Sequence, residues 1–323
     1  MPRVTVDVPD LSTVRRIVGE WLQRREDDLD AQEYACKVLA IINGKGGVGK
    51  TSFAVSWAVN LAAQGKKVLY VELDPQGNAC EDLGINKTPL DDGGQAQVDA
   101  VLNQKPFQPT GEARPNLFIV PGGQALSQLV TEMHFLRRIS DAGNDLPWQY
   151  LYLCSLDQCE DDYDIIVFDV APGDEALQKN ALHAADGLIV PTRSDPSSRK
   201  GLRIVAQRYI EVKEHNETLE LLGVVLFATN ASATKVQENL RKDLARDLGS
   251  AKHKVVPHPI RYVESAAVEA RRRGKTPTEL VRERPEGVPL KSLEALSADY
   301  STVNTWLLTE VTAVNRQLNS PED

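Results

Sequence analysis

Long apolar runs are missing from this chain: no stretch of about 18 apolar residues occurs, so the sequence offers no bilayer-spanning helix. Its first twenty residues, MPRVTVDVPDLSTVRRIVGE, lack the apolar core and small-residue cleavage site of a secretory leader. Cysteine is scarce, with four in 323 residues (Cys36, Cys80, Cys154 and Cys159), which excludes a disulfide framework. Four residues separate Cys154 from Cys159, so there is no CxxC spacing, and the five histidines form no metal motif. An excess of positive charge is also absent: 46 acidic residues face 37 basic ones, for a net charge of -9. That balance rules out a protein coated in positive charge but not a local basic patch. No internal repeat or low-complexity tract is found. These absences point to a soluble, cytoplasmic protein.

What remains is a globular composition, 41% apolar and 26% charged, long enough for a large α/β domain. Residues 1–36 read as an N-terminal helical extension, with Leu11, Val14, Ile17, Val18, Trp21 and Leu22 at helical spacing and Asp10 or Ser12 as a cap. Residues 37–318 read as the main domain and 319–323 as a disordered acidic tail. From Lys37 onward, apolar runs without polar alternation recur at 37–43, 67–73, 116–122, 163–170, 186–192 and 221–230. Strands buried on both faces of a parallel sheet read this way. Helical patterns lie between them, as at 51–65 and 197–215, and a closing helix spans 293–318. The expected fold is α/β, a doubly wound and mostly parallel sheet flanked by helices, with ligands at the carboxyl ends of the strands. The stretch 81–115, rich in Gly, Pro and Gln, reads as surface loop with one short helix.

One motif stands out. Gly44-Lys45-Gly46-Gly47-Val48-Gly49-Lys50-Thr51 follows a buried strand, opens a helix and fits the P-loop pattern GxxxxGK[ST]. Glycines let the backbone curl so that its N–H groups face phosphates, and the helix N-terminus adds a positive dipole end. In such a loop Lys50 reaches the β- and γ-phosphates and Thr51, followed by Ser52, lies beside the phosphates and holds Mg²⁺.

The second lysine, Lys45, is surplus to an ordinary P-loop. KGGVGKT here resembles the deviant Walker A box of the ParA/MinD family of dimeric ATPases. The resemblance gives Lys45 a role across a dimer interface, reaching the nucleotide of the other subunit. VLYVELDPQGNA (68–79) resembles the family's second box, which implies that Asp74 orients the attacking water. Glu72 stands where many members have aspartate. YDIIVFDVAPG (163–173) resembles the Walker B strand, so Asp169 is expected to hold Mg²⁺ opposite Thr51, with Ala171 in place of a common proline. Asn230 resembles the asparagine that reads the adenine edge, and Pro257 the proline near the base. The resemblance covers about residues 37–315 and is loose between 81 and 150.

Membrane-binding members end in a basic amphipathic helix, whereas this chain ends NRQLNSPED, so no membrane partner is expected. The resemblance then points to the DNA-partition branch: an ATP- and Mg²⁺-dependent homodimer, nucleoid-associated, that binds nonspecific DNA and serves plasmid or chromosome partition with a ParB-like centromere-binding protein. Candidate DNA contacts are Lys200, Arg203, Lys235, Arg241, Lys242, Arg246 and the run Arg271, Arg272, Arg273. Two readings stay open beside it: a related ATPase that positions a protein cargo, and a nucleotide-gated scaffold whose hydrolysis is incidental.

Overall fold

In the computed structural model, which describes residues 11–140, 147–193, 195–227 and 234–320, the apolar runs pair into one seven-stranded sheet. The strands are β1 (Val38–Ile41), β2 (Val68–Leu73), β3 (Gly111–Arg114), β4 (Leu117–Val120), β5 (Ile165–Val170), β6 (Gly187–Thr192) and β7 (Glu220–Leu226). Their order is β3-β4-β2-β5-β1-β6-β7, and only the β3–β4 pair is antiparallel. The doubly wound, mostly parallel fold expected from the sequence is therefore present. β1, β2, β5 and β6 are buried along their whole length.

Each face of the sheet carries its own core. Val38 and Ala40 of β1 face one, Leu39 and Ile41 the other, as the two-residue period of a strand requires. The first face is covered by α1 (Leu11–Asp30), α4 (Gln95–Leu102), α5 (Leu126–Ile139), α6 (Leu151–Asp157), α7 (Glu175–Ala184), α8 (Pro196–Lys213) and α9 (Thr234–Leu248). The second is covered by α2 (Lys50–Ala63), α3 (Asn78–Asp82), α10 (Glu264–Arg273), α11 (Pro277–Glu283) and α12 (Leu290–Leu318). No helix among the described residues is long and apolar enough to cross a membrane.

Helix α1 lies against the body through Val14, Ile17 and Trp21, while Leu22 turns outward. Its Arg25 guanidinium stacks 4.1 Å from the Trp21 ring and donates to buried Asp186. That carboxylate also accepts from Tyr34 Oη at 2.7 Å and from the Lys37 and Val38 amides, so it fixes the entry to β1. Asp10 and the last three residues of the acidic tail lie outside the described residues.

The stretch 81–115 holds the one short helix expected, α4, and departs from the sequence reading in holding also the end of α3 and the edge strand β3, whose residues GEAR have no apolar signature because they sit half-exposed at the sheet margin. All four cysteines are free and buried, and burial pushes the Cys159 thiol up to about 11, away from the thiolate form.

Helix α8 touches the loop after β1 through two glycines. A Cβ on Gly44 would meet the Gly201 carbonyl oxygen at 2.8 Å, and one on Gly201 would meet Asn43 Oδ1 at 2.8 Å. Replacing glycine by alanine inside a helix gains about 0.5–1 kcal/mol, but overpacking costs about 1–3 kcal/mol. Gly201→Ala is thus expected to lower the melting temperature, whereas Gly19→Ala in α1, where no atom lies within 4 Å, should raise it. Thermal melts of the two variants check this.

Candidate nucleotide site

Strand β1 ends in a loop that curls over the start of α2. Gly47 and Gly49 take φ values of 71° and 86°, the left-handed region that glycine enters without strain. Gly49 also has the Phe227 ring where a Cβ would sit, at 2.1 Å. It is the N-cap of α2 and supplies no side-chain cap, so the first-turn N–H groups stay open to an anion. Asn43 shapes the entry: its Oδ1 accepts from Lys45 N at 2.8 Å, and its amide donates to Pro191 O. Two further side chains grip the loop, and the sequence reading missed both. Arg193 Nη1 donates to Gly47 O at 3.2 Å, and buried Gln178 Nε2 donates to Asn43 O and to Ala171 O.

Adjacent strands bring the carboxylates together. Register pairs Ile41 with Asp169, and Asp169 with Glu72, across β1, β5 and β2. Burial first, and then the nearby Asp169, push the Glu72 carboxyl well above its ordinary range. Both its oxygens serve the backbone, Oε1 accepting from Ala79 N at 2.8 Å and Oε2 from Gly122 N at 3.2 Å. The extra methylene of glutamate gives that reach, so Glu72 is a structural tie in this site.

Asp169 is different. Its Oδ2 accepts from Tyr70 Oη at 3.0 Å, while Oδ1 is buried with no partner among the described residues. Burial raises its carboxyl, and Lys50 and the Thr51 hydroxyl pull it back. Lys50 is itself buried at the base of the loop. A bare carboxylate oxygen beside a threonine hydroxyl is a hard oxygen pair of the kind Mg²⁺ takes, so the residues fit that ion. Asp74, also buried, accepts from Gln76 N at 2.9 Å and begins the turn at which Gly77 (φ 61°) starts α3.

Lys45 lies on the rim. Its Nζ pairs with Asp195 Oδ1 at 2.7 Å, both side chains being about one-third exposed. Asp195 caps α8 by accepting from Ser198 N at 3.1 Å. Lys45, with the Ser197 hydroxyl, holds this carboxyl well below the usual carboxylate range.

A cavity of about 290 Å³ opens next to the loop, lined by Gly49, Ser52, Phe227, Arg261 and Tyr262 among others. Pro257 is exposed on the strand-like segment beside β7, where Val256 N donates to Val224 O and Ile260 N to Leu226 O. Asn230 lies outside the described residues, and of Lys235 only its position in α9 is described.

The basic candidates are scattered. Lys200 and Arg203 are exposed on α8, and Arg241 is half-buried on α9. Lys242 pairs with Glu238 and Arg246 with Asp243. The arginine run splits: Arg272 and Arg273 turn back to Glu269, and Arg271 reaches Glu81 and Asp82.

Comparison with known proteins adds to this geometry. A family model described as an AAA domain matches residues 36–221. The chain is 29% identical over 236 residues to the chromosome partitioning protein ParA of Caulobacter vibrioides, covering 71% of this chain and 83% of that protein. It is 31% identical over 198 residues to the sporulation initiation inhibitor protein Soj of Bacillus subtilis, covering 60% and 74%. Its fold is similar to that of cobyrinic acid a,c-diamide synthase from Mycobacterium smegmatis with bound ADP and magnesium, at a TM-score of 0.59 and 23% identity over 78% of this chain and 98% of that one.

The rim pair gives a test that needs no ligand. Asparagine caps a helix as well as aspartate, so Asp195→Asn should keep α8 intact while releasing Lys45, whereas Asp195→Ala should cost about 0.5–2 kcal/mol. Acetylation footprinting by mass spectrometry is expected to give several-fold faster labelling of Lys45 in Asp195→Asn, with an unchanged melting temperature. Unchanged labelling would mean that the pair does not persist in solution.

Proposed function

We propose, on the premise that this chain belongs to the ParA family of P-loop ATPases, that it binds and hydrolyses ATP with Mg²⁺, dimerises on ATP and carries a cargo over nonspecific DNA. One observation carries the nucleotide part: the unmet Oδ1 of Asp169 beside the uncapped start of α2, which Lys50 and Thr51 begin. Open N–H groups of the loop and of α2 cradle the phosphates, and Lys50 lies against the β- and γ-phosphates. Thr51 and Asp169 hold the ion, which when bound neutralises phosphate oxygens. Asp74 orients the attacking water. Asn230 and Pro257 flank the base, by resemblance to the family. Lys45 leaves Asp195 and crosses to the second subunit's nucleotide.

Relatives named for chromosome partitioning support a DNA track and a ParB-type partner that stimulates hydrolysis. The surface charges support a narrower set of contacts than the sequence does. Lys242, Arg246 and Arg272 have side chains 70%, 72% and 63% exposed. The exposed pairs of Lys242 with Glu238 and Arg246 with Asp243 contribute little and are screened by salt, so a phosphate displaces the carboxylate readily, and the Arg272 guanidinium is itself mostly in water. With Lys200 and Arg203 they form the proposed DNA contacts. Arg271, held by nearly buried Asp82, and Arg273, whose own side chain is only 29% exposed, do not belong to that set.

Two measurements test the reading. Lys50→Ala should weaken nucleotide binding at least tenfold, about 1.4 kcal/mol. Asp74→Ala should bind ATP but turn over about a hundredfold more slowly, the lower bound for losing a positioned base. Unchanged turnover in Asp74→Ala would remove it from the mechanism. For DNA, retention should require ATP, be equal across unrelated sequences and fall steeply with salt. Lys242→Ala with Arg246→Ala should lower the salt slope by about one unit per lost contact. If the ATP-bound protein is not retained on DNA at low salt, a protein cargo without a DNA track becomes the better reading.

A further inference from the structure

Arg271 is half-exposed, but its guanidinium is spent on one helix. Its Nε lies 3.1 Å from Asp82 Oδ1 and 3.2 Å from Glu81 Oε2, and its Nη2 donates to Asn78 Oδ1 at 3.2 Å. These three residues belong to α3, the five-residue helix that begins immediately after the Asp74–Gly77 turn. Asp82 is nearly buried, and its second oxygen accepts from Ser52 Oγ at 3.1 Å, in the first turn of α2. One guanidinium therefore receives two inputs from the phosphate side: the turn carrying Asp74, through α3, and the helix carrying Lys50 and Thr51, through Ser52 and Asp82.

The contact is rigid. Gly274, the αL cap of α10, abuts Gly84 so closely that a Cβ on Gly274 would meet Gly84 Cα at 2.1 Å. Arg114 closes the joint by donating to Leu83 O at 3.1 Å and to Gly274 O at 2.8 Å. Close-packed backbone of this kind moves as a body rather than deforming. Val268 and Tyr262, both exposed, line the cavity beside the loop together with Arg271, and Arg272 on α10 is exposed as well.

We propose that Arg271 is a positioning residue that couples the occupancy of the phosphate site to the placement of α10, so that the exposed surface of α10 differs between nucleotide states. The proposal rests on the nucleotide reading above. Arginine suits the task because its planar fork engages Asp82, Glu81 and Asn78 at once, which the single ammonium of lysine does not match.

Hydrogen–deuterium exchange of the full chain, with and without a non-hydrolysable ATP analogue and Mg²⁺, tests it. In the wild type the analogue should slow exchange several-fold in residues 44–52, in 74–84 and in 264–274. In Arg271→Ala the first two segments should still respond, and the response of 264–274 should shrink at least threefold. Arg272→Ala, which loses only its pair with Glu269, should respond like the wild type. Should Arg271→Ala not fold, Arg271→Lys decides, with a response of 264–274 below wild type while 44–52 responds fully. A wild-type α10 indifferent to the analogue, or a full α10 response in both Arg271 variants, overturns the coupling alone. Absence of any response at 44–52 in the wild type would instead overturn the nucleotide reading, and this proposal with it.

Discussion

Two carboxylates set side by side at the carboxyl edge of a buried sheet constrain everything around them. Glu72 and Asp169 are register partners on β2 and β5, and both are almost fully buried. Taking two like charges out of water on adjacent strands is costly unless each finds donors or a cation. Glu72 finds two backbone amides, and in doing so fixes where α3 starts and where the chain turns at Gly122. Asp169 finds Tyr70 on one oxygen only. A bare buried acceptor costs about 1–3 kcal/mol, and Lys50 is the buried cation closest in role to offset it. The position of α2, the openness of its N-terminus and the fit to a hard divalent ion follow from that incomplete pairing.

The parts legible in the sequence are those whose cause is local. β1, the glycine loop and α2 follow from a continuous apolar run, left-handed glycines and a helical period within a span of about thirty residues. β5, with Asp169 at its penultimate position, was readable for the same reason. What escaped depends on partners distant in the chain. Gln178 reaches Asn43 across 135 positions and Arg193 reaches Gly47 across 146, and neither carries a local signature. Glu72 read as a mild departure from the family pattern, although its longer arm is what joins two turns. β3 lacked an apolar run because an edge strand has little to bury. The arginine run reads in sequence as one basic cluster because the acids that Arg271 meets on α3 are distant in the chain. Part of the signal was present: Glu269 stands three and four residues before Arg272 and Arg273, the spacing at which helix neighbours pair.

The loop is gripped differently from its two sides, and the difference has consequences for what can change when a ligand arrives. On the β6–α8 side the grip is a rim contact between Lys45 and Asp195, each about one-third exposed, made possible because Gly44 and Gly201 let α8 approach the loop. Water already screens that pair, so exchanging the carboxylate for a phosphate changes the free energy little. On the α3–α10 side the grip runs through Asp82, whose side chain is only 10% exposed and whose removal from Arg271 would strand a buried carboxylate. An exposed pair is the one that can let go. A pair whose rupture leaves a nearly buried carboxylate behind is the one that moves together, even though Arg271 itself is half-exposed. Lys45 is therefore free to find a new anion while Arg271 stays bound to α3, which assigns exchange to one side of the site and transmission to the other.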